Sequence, residues 1–391
     1  MTPTTRAASR HGLGADGLLA SDLWLDRPDA PEEIERRRAA GRISDEEAAN
    51  LEHFWRHGYF TFQLELDAET CDAIDADVER LWREQPPWMA FAYHSLLTRF
   101  SGSDQENRKP SSRIADLHEF STPALELYLH PQLFRYVEMV LERPALATQS
   151  LYFQWGSQQA LHRDPIHVRM NPPSHLVASW VALEDIRPGS GELQYVAGSH
   201  RLPYFEFEPG RYFFDHKKDA PERAREAEKW DLDRCREKGL APQPFHPKRG
   251  ECLIWHHSLL HGGAELLDPT MTRKSFVVHY TSRPNMPATM NTYLDPYATP
   301  EPGEKVPPAR VYHSRRKHRM GNREGFVSPL VERFAEEARD RFVRPAESDQ
   351  RIAALGAELA ARRAELDAMK ASKFWKLHDA WWKVKRKLGG G

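Results

Sequence analysis

The chain has 391 residues, 40% of them hydrophobic, and 55 basic side chains stand against 57 acidic ones. That length suits one large β domain with helical additions, and a net charge of −2 gives no electrostatic reason to expect nucleic acid as a partner. Three cysteines, Cys71, Cys235 and Cys252, are widely spaced and odd in number, which argues against a disulfide framework and for a reducing compartment.

No apolar run reaches 18 residues and no signal-peptide core is present, so the chain reads as cytoplasmic. Residues 1–20 are rich in Ala, Gly and Thr and are expected to be disordered. Pro31-Glu32-Glu33 opens a helix, and Ser44-Asp45-Glu46-Glu47 opens a second with capping chemistry. Asp67-Ala68-Glu69 begins a third, with Cys71, Ile74, Val78 and Leu81 recurring at helical spacing. These helices are expected to buttress the outside of a sheet. Strand patterns follow at 150–156, ended by Gly156, and at 176–183, which is apolar enough to be covered on both faces. A turn at Gly189-Ser190-Gly191-Glu192 leads to a strand at 193–196, and 197–200 is its exit. Residues 205–248 carry aromatics and then a charged helix through Trp230 to Lys238. A turn at 249–251 precedes a strand at 252–256, and the last convincing strand runs from Arg273 to Tyr280. Short strands with Gly/Pro punctuation predict an antiparallel jelly roll or barrel with a site at its mouth.

Within this frame, His162-Arg163-Asp164 is followed 99 residues later by His261 and 12 residues further on by Arg273. Two imidazoles and one carboxylate can occupy one face of an octahedral Fe(II), leaving positions open for a co-substrate and dioxygen. Strand alternation would place His162 and Asp164 on the same side. Arg273 is placed to clamp a carboxylate through two parallel hydrogen bonds. His-x-Asp alone is a weak signal in a chain with 19 histidines. His167, His175, His256 and His257 are read as surface or hydrogen-bonded residues without a ligand role.

The run from about 50 to 285 resembles the phytanoyl-CoA dioxygenase family of Fe(II)/2-oxoglutarate oxygenases. The resemblance rests on Phe54 with Gly58-Tyr59, His162-Arg163-Asp164, the strand around Trp180, and Gly191-Glu192-Leu193 through Gly198-Ser199-His200. It continues with Gly250-Glu251 leading to His261-Gly262, and with Arg273-Lys274-Ser275. It implies a mainly β protein with flanking helices, built on a double-stranded β-helix (jelly roll, cupin-like). It implies Fe(II) on His162, Asp164 and His261, with 2-oxoglutarate and O2 as co-substrates. Arg273 and Ser275 would hold the distal carboxylate of 2-oxoglutarate, helped by Trp180, Gln154 and Tyr152. Related halogenases replace the ligand carboxylate by a small residue, so the presence of Asp164 favours hydroxylation, while desaturation, ring closure or epimerisation would use the same ligands.

The chain is therefore expected to divide into an N-terminal extension (1–45), an oxygenase domain (46–300) with a lid-like insertion (205–248), a Pro-rich basic connector (301–345) and a C-terminal helix (346–391). The basic run 313–319 reads as a solvated loop or as a receiver of an anionic group. Ile352, Leu355, Leu359, Leu366 and Met369 follow a heptad, suggesting a coiled-coil-like helix. From Ser372 to Gly391 six Lys/Arg face one aspartate around an apolar stripe with Trp381. Such a basic amphipathic helix suits peripheral contact with a membrane surface or docking on a protein partner. The expected substrate is a small or medium organic metabolite of secondary metabolism or cell-surface glycan/lipid assembly. The competing readings are a non-catalytic cupin-like binding or scaffold protein, and an oxygenase acting on a carrier-bound or protein substrate.

Overall fold

The computed structural model describes residues 13–282 apart from 15, 85–89, 94–107, 120, 144, 169, 171–172 and 216–217. The expectations for the connector and for the C-terminal helix lie outside these residues. In chain order the elements are α1 (Ala30–Ala39), α2 (Asp45–His57), β1 (Tyr59–Gln63), α3 (Ala68–Glu84), β2 (Ala90–Tyr93), β3 (Ser112–Ala115), α4 (Thr122–Tyr128), α5 (Pro131–Leu141), β4 (Ala145–Phe153), β5 (Val177–Ala182), β6 (Leu193–Tyr195), α6 (Pro221–Glu237), β7 (Gln243–Pro244), β8 (Glu251–His256), β9 (His261–Gly263) and β10 (Ser275–Ser282). Among the described residues no helix is long and apolar enough to cross a membrane.

The strands form two antiparallel sheets. The larger runs β1-β8-β5-β10-β4-β3-β2 and the smaller β7-β6-β9. Non-consecutive neighbours in this order are what a jelly roll produces, since hairpin partners are exchanged between sheets. Alternation along the central strands sorts side chains onto two faces. On one face, Val177 and Val181 of β5, Cys252 and Ile254 of β8, and Phe276, Val278 and Tyr280 of β10 join the core beneath α2, α3 and α5. On the other, Trp180, Leu253, Trp255 and Val277 meet Leu193, Tyr195 and Phe245 from the smaller sheet and its surroundings. β5 and β10 are buried along their whole length, for β5 as the nearly all-apolar run at 176–183 predicts for a strand covered on both sides.

The helices form for local reasons visible in the sequence. Ser44 Oγ accepts the Glu47 N–H at 3.1 Å, and Glu47 Oε2 accepts the Ser44 N–H at 2.8 Å, which closes a capping box at the start of α2. Gly58 ends that helix with φ +83°, and a Cβ there would fall 2.6 Å from His200 Nδ1, so both the turn and the packing call for glycine. The four residues spaced along α3, Cys71, Ile74, Val78 and Leu81, are all buried.

Part of the N-terminal extension packs into the core. Leu23, Trp24 and Leu25 lie in the same core as α2 and α5. Trp24 Nε1 donates to the Met139 carbonyl at 2.9 Å, and Arg37 lies 4.0 Å over its ring. Asp22 and Asp26 pair with His175 (2.7 Å) and His256 (3.0 Å). Trp24→Ala is therefore expected to lower unfolding stability by about 3–5 kcal/mol, read by urea denaturation. A loss of a few tenths would show that the segment is an appendage.

Candidate metal centre and its surroundings

The two histidines of the triad are cross-strand partners. His162 N–H donates to His261 O at 2.9 Å and His261 N–H to His162 O at 3.1 Å, a closely spaced antiparallel pair whose side chains emerge together. Gly262 and Gly263 follow because β9 runs against the loop 157–160. A Cβ on Gly262 would meet Gln159 O at 2.7 Å. His162 and Asp164 do not share a regular strand, contrary to the alternation argument. His162 forms an isolated bridge, and Asp164-Pro165 opens a 3-10 turn. The turn still brings Asp164 round to the histidines.

His162, Asp164 and His261 offer ligand atoms that all lie within 4.8 Å of one another. Asp164 Oδ1 is 3.9 Å from His162 Nε2 and 3.5 Å from His261 Nε2. Each imidazole is set in one tautomer by a backbone carbonyl: Nδ1 of His162 donates to Ala160 O (2.9 Å) and Nδ1 of His261 to Leu259 O (3.0 Å). Both Nε2 lone pairs therefore face the common point, the arrangement that a ligating histidine needs. Asp164 Oδ2 accepts from Trp255 Nε1 at 2.8 Å, which leaves Oδ1 for an ion. This donor set of two neutral imidazoles and one carboxylate suits a divalent transition metal with open positions.

Burial and the adjacent His261 hold His162 well below the usual imidazole range, at about 3. Burial pushes the Asp164 carboxyl up, but His261, His279 and His162 around it outweigh that and keep it below the ordinary carboxylate range. Burial holds His200 at about 3 and His257 well below the imidazole range. For His162 and His200 the unfolded chain, with a pKa near 6.5, binds the extra proton between about pH 6.5 and about 3, and His257 is displaced in the same direction. Stability of the metal-free protein then rises with pH across that window and is fully present above it. Urea midpoints measured from pH 4 to 7 should climb steeply, and His162→Gln should flatten the climb by about one proton; an unchanged slope would place the His162 pKa near its ordinary value.

Arg273 sits just before β10 and is 2% exposed. Its Nη1 donates to Ser275 Oγ at 2.9 Å, its guanidinium lies 5.2 Å from the Phe153 ring and 5.5 Å from that of Trp180, and Nε is buried without an acceptor. Burial lowers its pKa to about 10, so it stays cationic at neutral pH. No described carboxylate comes within ion-pair distance of it. A buried cation in that position is costly until an anion joins it. Trp180 shares the interior face and its Nε1 is buried without an acceptor.

Two expected co-substrate contacts have other side-chain partners. Tyr152 belongs to the helix-side core, with its hydroxyl 3.3 Å from Asp75 Oδ1. Gln154, of the same parity, accepts from Arg108 at 3.2 Å. The interior side of β4 is carried by Leu151 and Phe153, so the Tyr152 ring is turned away from Arg273, whereas the Gln154 carbonyl accepts the Arg273 N–H at 2.9 Å.

Four interior residues escaped the sequence reading. Arg113 on β3 is half-buried, with its pKa pushed down to about 10 by desolvation. Its Nη1 donates to Gln159 Oε1 (3.2 Å), and Gln159 Nε2 lies 3.3 Å from His162 Nε2. Trp255 holds Asp164, and His279 Nε2 stands 3.7 Å from Asp164 Oδ1, beyond hydrogen-bond reach. The signal for His279 was present, because 275, 277 and 279 share parity on β10. The insertion reaches the centre as well. Beside His162 lies a cavity of about 330 Å³ lined by Gln159, Leu161, His167, Phe207, Ala227 and Asp231, among others.

A sequence model of a family described as phytanoyl-CoA dioxygenase matches residues 54–268. The chain belongs to the phytanoyl-CoA dioxygenase family. Solved structures that it resembles include the non-heme alpha ketoglutarate dependent carbocyclase SnoK from nogalamycin biosynthesis, at 16% identity and TM-score 0.45 over 62% of this chain and 85% of that one. The epimerase SnoN, in complex with Fe3+, alpha ketoglutarate and nogalamycin RO, is 18% identical with TM-score 0.44 over 70% and 94%. EctD from S. alaskensis with 2-oxoglutarate and 5-hydroxyectoine is 18% identical with TM-score 0.43 over 72% and 87%. These are distant likenesses. No curated protein matches the chain.

Proposed function

We propose that this member of the family is a non-haem Fe(II)/2-oxoglutarate-dependent dioxygenase that hydroxylates a small or medium organic metabolite. The observation that carries this reading is the convergence of two lone-pair-bearing Nε2 atoms and Asp164 Oδ1 in an interior that also holds a buried arginine with no described carboxylate at ion-pair distance. A scaffold that had merely kept the fold would have no use for a desolvated cation there.

His162, Asp164 and His261 would hold the iron, and Arg273 with Ser275 would hold the distal carboxylate of 2-oxoglutarate. When bound, Fe(II) with 2-oxoglutarate and dioxygen supplies oxidative decarboxylation to succinate and CO2 and the power to attack an unactivated C–H bond. The protein's own work is binding, orientation and exclusion of water. Ser275 Oγ already accepts from Arg273, so its hydroxyl proton is free to donate to a carboxylate oxygen. The rings of Trp180 and Phe153 confine the guanidinium and shield the carboxylate pair from solvent, which strengthens it. Trp255 keeps Asp164 oriented, with one oxygen toward the ion, while His261, His279 and His162 keep it ionised. The cavity beside His162 places a substrate next to the ligands, and its volume is at the lower end of the roughly 300–1,000 Å³ typical of small-molecule sites. Asp164 as third ligand favours hydroxylation over halogenation.

Purified protein with Fe(II) should convert 2-oxoglutarate to succinate, and His162→Ala should abolish this. Arg273→Ala should raise the KM for 2-oxoglutarate by about 10–100-fold, as expected for a lost charged hydrogen bond, whereas Tyr152→Phe should leave it within about twofold. Mass spectrometry of metabolites from cells with and without the protein should show a product heavier by one oxygen atom. Undiminished turnover by His162→Ala would end this reading.

A further inference from the structure

Arg163, the residue between two of the proposed ligands, points away from them and is fully buried. Its Nη1 donates to the Leu202 carbonyl at 2.8 Å. Its Nη2 lies 2.8 Å from Asp231 Oδ1 on α6, off the direction of its N–H bonds. The guanidinium stacks 4.4 Å over the Tyr204 ring. Tyr204 in turn shares a 2.7 Å hydrogen bond with Ser258, the neighbour of Leu259, whose carbonyl fixes His261. One buried guanidinium thus touches the parts of the fold that support both histidines.

Asp231 is 2% exposed, and burial raises its pKa. Among the described residues Arg163 is its only ion-pair partner. It also lines the cavity beside His162. A buried pair of this kind adds little to stability over an apolar pair of similar volume, and its attested use is to fix register. Here the register concerned is that of residues 162–164 against the insertion helix.

Resting on the oxygenase reading of the same centre, we propose that Asp231 is a positioning residue for the metal ligands. Through Arg163 it locks the His162–Asp164 segment to α6, so the wall of the substrate cavity and the metal centre form one rigid unit. The insertion is then part of the metal site as well as a cover for the cavity. A substrate that presses on the α6 wall also bears on the ligand geometry.

The test is calorimetric titration of Mn(II) into metal-free wild type, Asp231→Asn, Asp231→Glu and the double variant Arg163→Met/Asp231→Leu, with melting temperatures alongside. Mn(II) suits the donor set and is stable in air. Asp231→Asn should weaken Mn(II) by about 10–100-fold, the usual effect of losing an outer partner of a metal ligand, and Asp231→Glu should recover part of that. The double variant buries no charge, so its melting temperature should return close to that of wild type while its Mn(II) affinity stays reduced. Wild-type affinity in both Asp231→Asn and the double variant would overturn the proposal and leave the pair a stabilising contact alone. Absence of Mn(II) binding by the wild type would overturn it too, together with the oxygenase reading on which it rests.

Discussion

The backbone exchange between His162 and His261 is the constraint on which the rest of the site depends. Two residues 99 positions apart are registered to each other by a pair of hydrogen bonds, and an antiparallel pair of this kind has no freedom to slip by one residue without turning both side chains to the other face. Everything nearby protects that register. The glycines after His261 admit the loop 157–160 at backbone contact, and the Ala160 and Leu259 carbonyls set the imidazole tautomers. The turn at Asp164 brings in the third donor, steadied by Trp255.

The interior around this pair gathers charge where a core would ordinarily exclude it. Arg273 and Asp164 are buried and Arg113 is half-buried between the sheets, and desolvation penalises each. Such a site makes sense when ligands complete it: a divalent cation opposite the carboxylate and a dicarboxylate opposite the arginine. The helix-side core has the opposite character. It is apolar, continuous from Leu23 to Tyr280, and rigid enough to hold the large sheet against which the interior is built. Stability and chemistry thus occupy opposite faces of the same strands.

How much of this was legible in the sequence follows the same division. Caps and helical spacing announced α2 and α3 because those signals are local, and Ser44 with Glu47 needs no tertiary partner. The meeting of His162, Asp164 and His261 follows from motifs whose order and flanks are visible in the sequence, and Ser275 accepts a hydrogen bond from the neighbouring Arg273. The face that Tyr152 presents was not legible for a physical reason: β4 is buried on both faces along almost its whole length, so alternation separates two sets of side chains without saying which set looks inward. The Arg163–Asp231 and Trp255–Asp164 contacts join residues 68 and 91 positions apart through topology, and no short-range pattern encodes them. The expectation of disorder was confined to residues 1–20; beyond it, Leu23, Trp24 and Leu25 supply an apolar plug that only the folded helices reveal.

The account's central claim, that one ion sits among His162, Asp164 and His261 beside Arg273, is tested most directly by anomalous diffraction. Crystals would be soaked anaerobically with Fe(II) and 2-oxoglutarate. The prediction is a single iron peak about 2.0–2.2 Å from both Nε2 atoms and Asp164 Oδ1, with carboxylate density against the Arg273 guanidinium. Iron absent from that point, or a dicarboxylate bound away from Arg273, would contradict it.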